Sequence, residues 1–230
     1  MKLNFPIEVS AVAFDLDGTL VDTLPDLHEA ANRTLADLGR PAVAVEQVRD
    51  FVGDGVDRLV QRILTGAAEG QADAPLFERA RDRFREHYRQ VLTRASRPFP
   101  GVIDGLDALR ALGVKLACVT NKPQAFTLPL LDALALRPRL DLVVAGDTLA
   151  RKKPDPLPLA HCAQRFGIQT RLLLMIGDSN NDTRAARAAG CPVFCVPYGY
   201  RGGARVQDLD CDAIVASVPD SLKLIRPARS

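Results

Sequence analysis

The stretch FDLDGTLVDT, residues 14–23, closes an apolar run, VSAVAF at 9–14, and carries three aspartates before any helical pattern begins. A near-continuous apolar run of this length suits a strand buried on both faces, as in parallel sheets covered by helices. Two carboxylates two residues apart at its end, followed at once by Gly18 and Thr19, raise the question of what chemistry sits there.

Working outward, five further runs have the same character: VKLACV at 114–119, LDLVVA at 140–145, LLLMI at 172–176, VFCV at 193–196 and AIV at 213–215. Helical patterns separate them at about 102–112, 124–136, 156–166 and 181–189, and several stop at a glycine, Gly113, Gly167 or Gly190. Strands alternating with helices predict an α/β fold with a parallel sheet between helical layers. One interval breaks the alternation. Between the first strand and RPFPGV at 97–102 only helical patterns occur, at roughly 25–38, 44–50, 55–65 and 75–94. An all-helical domain inserted between the first strand and the rest of a layered core would read this way.

Composition limits the function classes. With 47% apolar residues the chain can bury a large core, and 30 basic against 28 acidic residues give no field that argues for nucleic acid or a membrane surface. No stretch approaches the apolar length of a transmembrane helix, and MKLNFPIEV lacks a signal-peptide core, so a soluble, cytoplasmic protein is expected. Five cysteines without CxxC spacing predict reduced, mostly buried thiols, and His28, His87 and His161 lie too far apart to suggest a metal site.

In an open parallel sheet the ligand lies beyond the carboxyl ends of the strands. The residues there form a set: Asp15 and Asp17, then Thr120 and Asn121, then Lys152 and Lys153, then Asp178, Ser179, Asn181 and Asp182. Taken singly, each aspartate reads as a turn or helix cap and each lysine as part of a solvated loop. Together, at successive strand ends, they suit a divalent cation beside a phosphate.

The sequence resembles the haloacid dehalogenase superfamily of aspartate-nucleophile phosphatases. DLDGTLVDT is similar to its first motif, VTNKP to its second, RKKPDP to its third and GDSNND to its fourth. The resemblance implies a Rossmann-like core of residues 1–21 and 98–230 with a helical cap of residues 22–97. It implies Asp15 as nucleophile, Asp17 as general acid and then base, and Thr120 and Lys153 as the other catalytic groups. Mg2+ would be held by the Asp15 and Asp178 carboxylates and the Asp17 backbone carbonyl, with Ser179 and Asp182 in support and Lys152 an exposed neighbour. Gly18, Thr19 and the Asn121 backbone would approach the phosphoryl oxygens. The second aspartate argues for a phosphatase, because a dehalogenase has no leaving alkoxide to protonate.

The cap stretch FVGDGVDRLV at 51–60 sets Gly53 and Gly55 around a turn that opens a helical pattern. This reads either as a helix-entry turn or as amides facing an anionic leaving group. The stretch is similar to the caps of bacterial phosphoglycolate phosphatases, whose substrate carries a carboxylate beside its phosphate. Asp54 must then point away, and Arg58 reads either as an exposed arginine or as a compensating charge. The expected partner is a small phosphorylated metabolite, acted on by a monomer or homodimer. Other phosphomonoesters, sugar phosphates among them, a phosphosugar mutase and a non-catalytic binding module stay open. Phosphonoacetaldehyde hydrolysis would need a cap lysine, and residues 24–97 contain none.

Overall fold

The structure is a computed structural model that describes residues 4–228. In chain order the elements begin with β1 (Ile7–Val9), β2 (Ala11–Phe14) and β3 (Val21–Asp22). Four helices follow: α1 (Leu24–Asp37), α2 (Val45–Phe51), α3 (Val56–Thr65) and α4 (Ala74–Val91). After β4 (Arg97–Pro98) the chain runs through α5 (Val102–Ala111), β5 (Lys115–Val119), α6 (Gln124–Ala133), β6 (Leu142–Val144), α7 (Leu157–Phe166), β7 (Leu173–Gly177), α8 (Asn180–Ala189) and β8 (Val193–Cys195). It closes with β9 (Ala213–Ile214), the short α9 (Val218–Ser221) and β10 (Ile225–Pro227).

Six strands form one parallel sheet in the order β6-β5-β2-β7-β8-β9. The strand β2 that ends at Asp15 is therefore central, flanked by β5 and β7. Its residues alternate between two apolar layers. Val12 and Phe14 join the cluster that holds α5 and α6, whereas Ala11 and Ala13 face α7 and α8. The small alanines let those two helices lie close, and the period of two is what a strand buried on both sides requires.

The expected strands fall where the sequence places them, with two additions. The run at 9–14 is two strands broken at Ser10, because β1 pairs with β10 (Ile7↔Ile225) outside the main sheet. The interval read as strand-free contains β3, whose two residues pair antiparallel with β4 (Val21↔Pro98, Asp22↔Arg97). The chain thus leaves the core and returns to it along one hydrogen-bonded ladder. Also, α6 stops at Ala133 rather than 136, with Ala135 in the left-handed region at φ 53°. All five cysteines are unpaired, four of them buried. Among the described residues no helix is long and apolar enough to cross a membrane.

The four inserted helices pack chiefly through α1 against α4. Their apolar faces, with Leu35, Val60, Phe84 and Tyr88, continue the same cluster that holds Phe14 and Phe126 of the core. Asp26, in the first turn of α1 and fully buried, fixes the return crossing: its carboxylate accepts from Ala95 N (2.9 Å), Ser96 N (2.8 Å) and Ser96 Oγ (2.6 Å). The site suits an anion, since the free amides of a helix start favour negative charge. Replacing Asp26 with alanine orphans these buried donors, each worth about 1–3 kcal/mol once the shell relaxes. We expect Asp26→Ala to lower the urea unfolding free energy by about 3 kcal/mol with an unchanged m-value; a loss below about 1 kcal/mol would mean that water replaces the carboxylate.

Candidate active site

The carboxyl ends of β2, β5, β6 and β7 bring the sequence-marked residues to one place. Ladder hydrogen bonds run past the strand ends, from Asp15 N to Ile176 O (3.0 Å) and from Thr120 N to Val144 O (3.0 Å), so the backbone beneath the site is rigid. The loop after Asp15 then winds around the Leu16 carbonyl, which accepts from Leu20 N (3.1 Å) and Val21 N (2.9 Å).

Asp15, Asp178 and Asp182 each place a carboxylate oxygen within 4.8 Å of the others, all buried. One ammonium stands among them. Lys153 Nζ lies 2.9 Å from Asp15 Oδ1 and 2.7 Å from Asp182 Oδ1. Burial works against that ammonium, and the Asp15 and Asp182 charges more than offset it, so the Lys153 pKa is raised. Burial likewise pushes the Asp15 carboxyl up to about 7, with Lys153 pulling it back and Asp182 and Asp17 adding to the rise. Asp178, buried beside Asp182 and Asp15, is raised well above the usual carboxylate range. Three carboxylates facing one ammonium leave two negative charges uncompensated when all are ionised, and hard oxygen donors in that number fit a divalent cation.

Among the described residues Asp178 meets no protein cation: its oxygens accept from Thr19 Oγ1 (2.6 Å) and Tyr200 N (2.6 Å). Asp182 is fully engaged, by Lys153 on one oxygen and by Asp178 N, Ser179 N and Ser179 Oγ on the other. It therefore orients the cluster. Gly18 and Thr19 pack against Asp178. A Cβ on Gly18, whose φ is +89°, would fall 2.7 Å from Asp178 Oδ2, and Thr19 is fully buried on its hydrogen bond to that carboxylate.

A cavity of about 30 Å³ lies over Asp15 and Asp17. Thr120, Asn121 and Lys122 line its core side and Gly53, Gly55 and Val56 its cap side. The turn at 53–55 is docked by three core side chains. Asn121 Nδ2 donates to Gly53 O (3.0 Å), Asn181 Nδ2 to Asp54 Oδ1 (2.8 Å) and Gly53 O (3.2 Å), and Lys152 Nζ to Asp54 O (2.7 Å). Lys152 is thus exposed, as expected, yet bound to the cap. Among the described residues the N–H groups of Gly53 through Arg58 donate to no protein acceptor. Among the described residues Asn121 Oδ1 is buried without a hydrogen-bond partner.

Arg58 does not compensate Asp54. It turns away to Glu69 and to Gly70 O (3.4 Å), and the buried Arg62 takes its place, with Nη2 2.6 Å from Asp54 Oδ2. Burial opposes ionisation of Asp54, but the Asn181 and Arg62 hydrogen bonds outweigh it and lower its pKa. Lys122, not singled out by the sequence, holds Asp17 through both carboxylate oxygens, at 2.8 and 3.1 Å. Tyr200 was also missed. Its hydroxyl accepts from Thr23 N (2.9 Å) and Leu24 N (3.1 Å) at the start of α1 and donates to Asp22. Lys122 lies inside the VTNKP motif, which is the one signal that marks it, and a tyrosine in a loop carries none.

Residues 12–196 match the haloacid dehalogenase-like hydrolase family. The chain is 51% identical to a phosphoglycolate phosphatase of Nitrosospira multiformis, covering 97% of this chain and 99% of that one. It is 48% identical to a phosphoglycolate phosphatase of Thiobacillus denitrificans, over 98% and 99%. The crystal structure of a predicted phosphoglycolate phosphatase from Haemophilus somnus superposes with a TM-score of 0.89 at 35% identity, covering 94% of this chain and 97% of that one. The chain belongs to the haloacid dehalogenase-like hydrolases.

The carboxylate cluster makes a prediction about cations. Cation binding requires ionised Asp15 and Asp178, both raised by burial and Asp15 to about 7, so affinity should rise with pH through that range. Calorimetry at pH 6.5 in two buffers of different ionisation enthalpy should report proton release with Mg2+ or Mn2+. Binding that is independent of both pH and buffer would contradict the assignment of Asp15 as a ligand.

Proposed function

We propose that this enzyme hydrolyses 2-phosphoglycolate to glycolate and phosphate, through a phosphoryl group carried transiently on Asp15. The observation that carries the reading is the facing of two surfaces across one cavity. Asp15 and Asp17 form its floor, and the unpaired amides at the start of α3 face them from the other side. A phosphate with a carboxylate one carbon away offers an anion to each of the two surfaces, and the curated relatives carry this activity in their names. In this reading the cap is residues 22–97 and the catalytic core is 1–21 with 98–230.

The steps follow from side-chain placement. Lys153 and Leu16 N, at 2.9 and 2.7 Å, fix Asp15 Oδ1 and so aim the carboxylate. Asp15 attacks phosphorus, the ester P–O bond breaks, and the leaving oxygen takes a proton from Asp17. Asp17 next accepts a proton from water as that water attacks phosphorus, and cleavage of the aspartyl–phosphorus bond restores Asp15. Thr120 Oγ1 and the Asn121 backbone hold phosphoryl oxygens while Lys153 balances their charge. Mg2+, held by the Asp15 and Asp178 carboxylates and the Asp17 carbonyl, would supply the remaining counter-charge. The N–H groups of residues 55–57 receive the glycolate carboxylate, with Gly53 and Gly55 giving the turn its shape.

Phosphate release across about fifty monoesters, at substrate concentrations below KM, tests the substrate, because specificity lies in relative kcat/KM. We expect 2-phosphoglycolate to lead sugar phosphates; a sugar phosphate in first place would overturn the choice of substrate. Gly55 has φ +89°, and a Cβ there would meet Asn121 O at 3.0 Å and Lys152 Nζ at 3.1 Å. Gly55→Val should therefore lower kcat/KM for phosphoglycolate by roughly ten- to a hundredfold, the scale of one lost charge-assisted contact. The loss on 4-nitrophenyl phosphate should be smaller. Equal losses in a folded variant would mean that the turn only holds the cap in place.

A further inference from the structure

Lys122 and Tyr88 stand outside the roles described so far. Lys122 follows Asn121 after β5, and its side chain is only 2% exposed. Its backbone is fixed, since its carbonyl accepts from Gly146 N (2.8 Å) and Thr127 Oγ1 (3.1 Å). Its ammonium pairs with one carboxylate. It contacts Asp17 Oδ1 at 2.8 Å and Oδ2 at 3.1 Å, and no other protein acceptor among the described residues. Oδ1 also accepts from Thr23 Oγ1 at 2.7 Å. With two close donors on Oδ1 and only the longer contact on Oδ2, the carboxylate is held in one rotation, and Oδ2 is the oxygen left for exchange with a ligand.

The far side of that ammonium is covered by the cap. The Tyr88 ring, on α4, lies 4.8 Å from Lys122 Nζ and packs on Phe126 of the core at 5.0 Å. Tyr88 is fully buried, yet its hydroxyl has no partner. Its position is thus explained by its ring and not by its hydroxyl. An ammonium is strongly hydrated and its four-carbon stem is flexible, so it keeps a single geometry only where water is excluded and its charge is met. A ring face supplies both.

We propose that Lys122 is a positioning residue for the Asp17 carboxylate, and that Tyr88 completes its seat, so that the acid–base group is aligned only while the cap lies on the core. The idea rests on the phosphomonoesterase reading of the same site but not on phosphoglycolate as the substrate. It ties the closure of α4 to proton transfer, where the docked 53–55 turn ties closure to leaving-group recognition.

The test uses three esters: 2-phosphoglycolate, ethyl phosphate, an alkyl ester without a carboxylate, and 4-nitrophenyl phosphate, whose leaving group needs no proton. The readout is kcat/KM, which reports steps up to the first release and so isolates protonation of the leaving group. Lys122→Met should lose about a hundredfold on both alkyl esters and less than about tenfold on the aryl ester, within the range of general acid catalysis. Lys122→Arg should recover part of the alkyl loss. Tyr88→Phe should match the parent, and Tyr88→Leu should lose about fivefold, the scale of one cation–π contact, with the same alkyl bias. The double variant Lys122→Met with Tyr88→Leu should be no worse than Lys122→Met, because the ring acts through the lysine.

Equal losses on all three esters would reduce Lys122 to a structural residue. A loss confined to 2-phosphoglycolate would make it a ligand for the substrate carboxylate, and additive losses in the double variant would separate Tyr88 from it; either overturns the proposal. Should Lys122→Met fail to fold, Lys122→Arg and Tyr88→Leu carry the same alkyl-to-aryl comparison. A parent protein inactive on every ester would overturn the phosphomonoesterase reading itself, an outcome distinct from any of these.

Discussion

One buried lysine among three buried carboxylates is the constraint on which the rest of the site depends. Removing charges from water costs several kcal/mol each unless partners replace the solvent. Here Lys153 serves Asp15 and Asp182, while Asp182 gathers three more donors from the turn that opens α8. The four groups come from three strand ends, so the cluster exists only when β2, β6 and β7 hold these places in the sheet. The sheet in turn depends on Ala11 and Ala13, whose small side chains let α7 and α8 cover that face. The charge left over stores the demand for a cation, and burial that raises Asp15 makes the same carboxylate responsive to one.

The cap is joined to this cluster by bonds of two kinds. Apolar packing continues from Phe14 and Phe126 into Phe84 and Tyr88, which makes contact between cap and core broad and undirected. Direction comes from the polar contacts. Asn121, Asn181 and Lys152, from three different strand-end loops, fix the 53–55 turn, and Tyr200 fixes the start of α1 while its own amide binds Asp178. Opening the cap would break hydrogen bonds made by the same loops that carry the chemistry. The placement of the cap and the geometry of the site therefore depend on the same contacts.

How much of this was legible depended on how each part is buried. The six main strands were readable because burial on both faces leaves continuous apolar runs; Asp15, Thr120 and Asp178 stand out as candidates because they follow those runs, and Lys153 only through its motif. The pair β1 and β10 was not. Each has three residues, Glu8 and Arg226 interrupt them, and over two hundred residues separate them, so no local pattern marks their pairing. Arg62 carries no mark in the sequence as the counter-ion of Asp54. Asp54 precedes α3, which starts at Val56, so helical spacing does not govern what reaches it. Lys122 and Lys152 both resemble solvated loop lysines, and only the return of the cap over the core, a long-range event, buries one and engages the other.

The central claim, that Asp15 carries the phosphoryl group, is tested most directly by trapping it. Enzyme mixed with 2-phosphoglycolate and Mg2+, quenched in acid within milliseconds and digested, should yield a phosphorylated peptide whose modified residue is Asp15. No adduct should form in the Asp15→Asn protein when it is shown to be folded. A phosphoryl group on another residue, or the same adduct in that variant, would contradict the account.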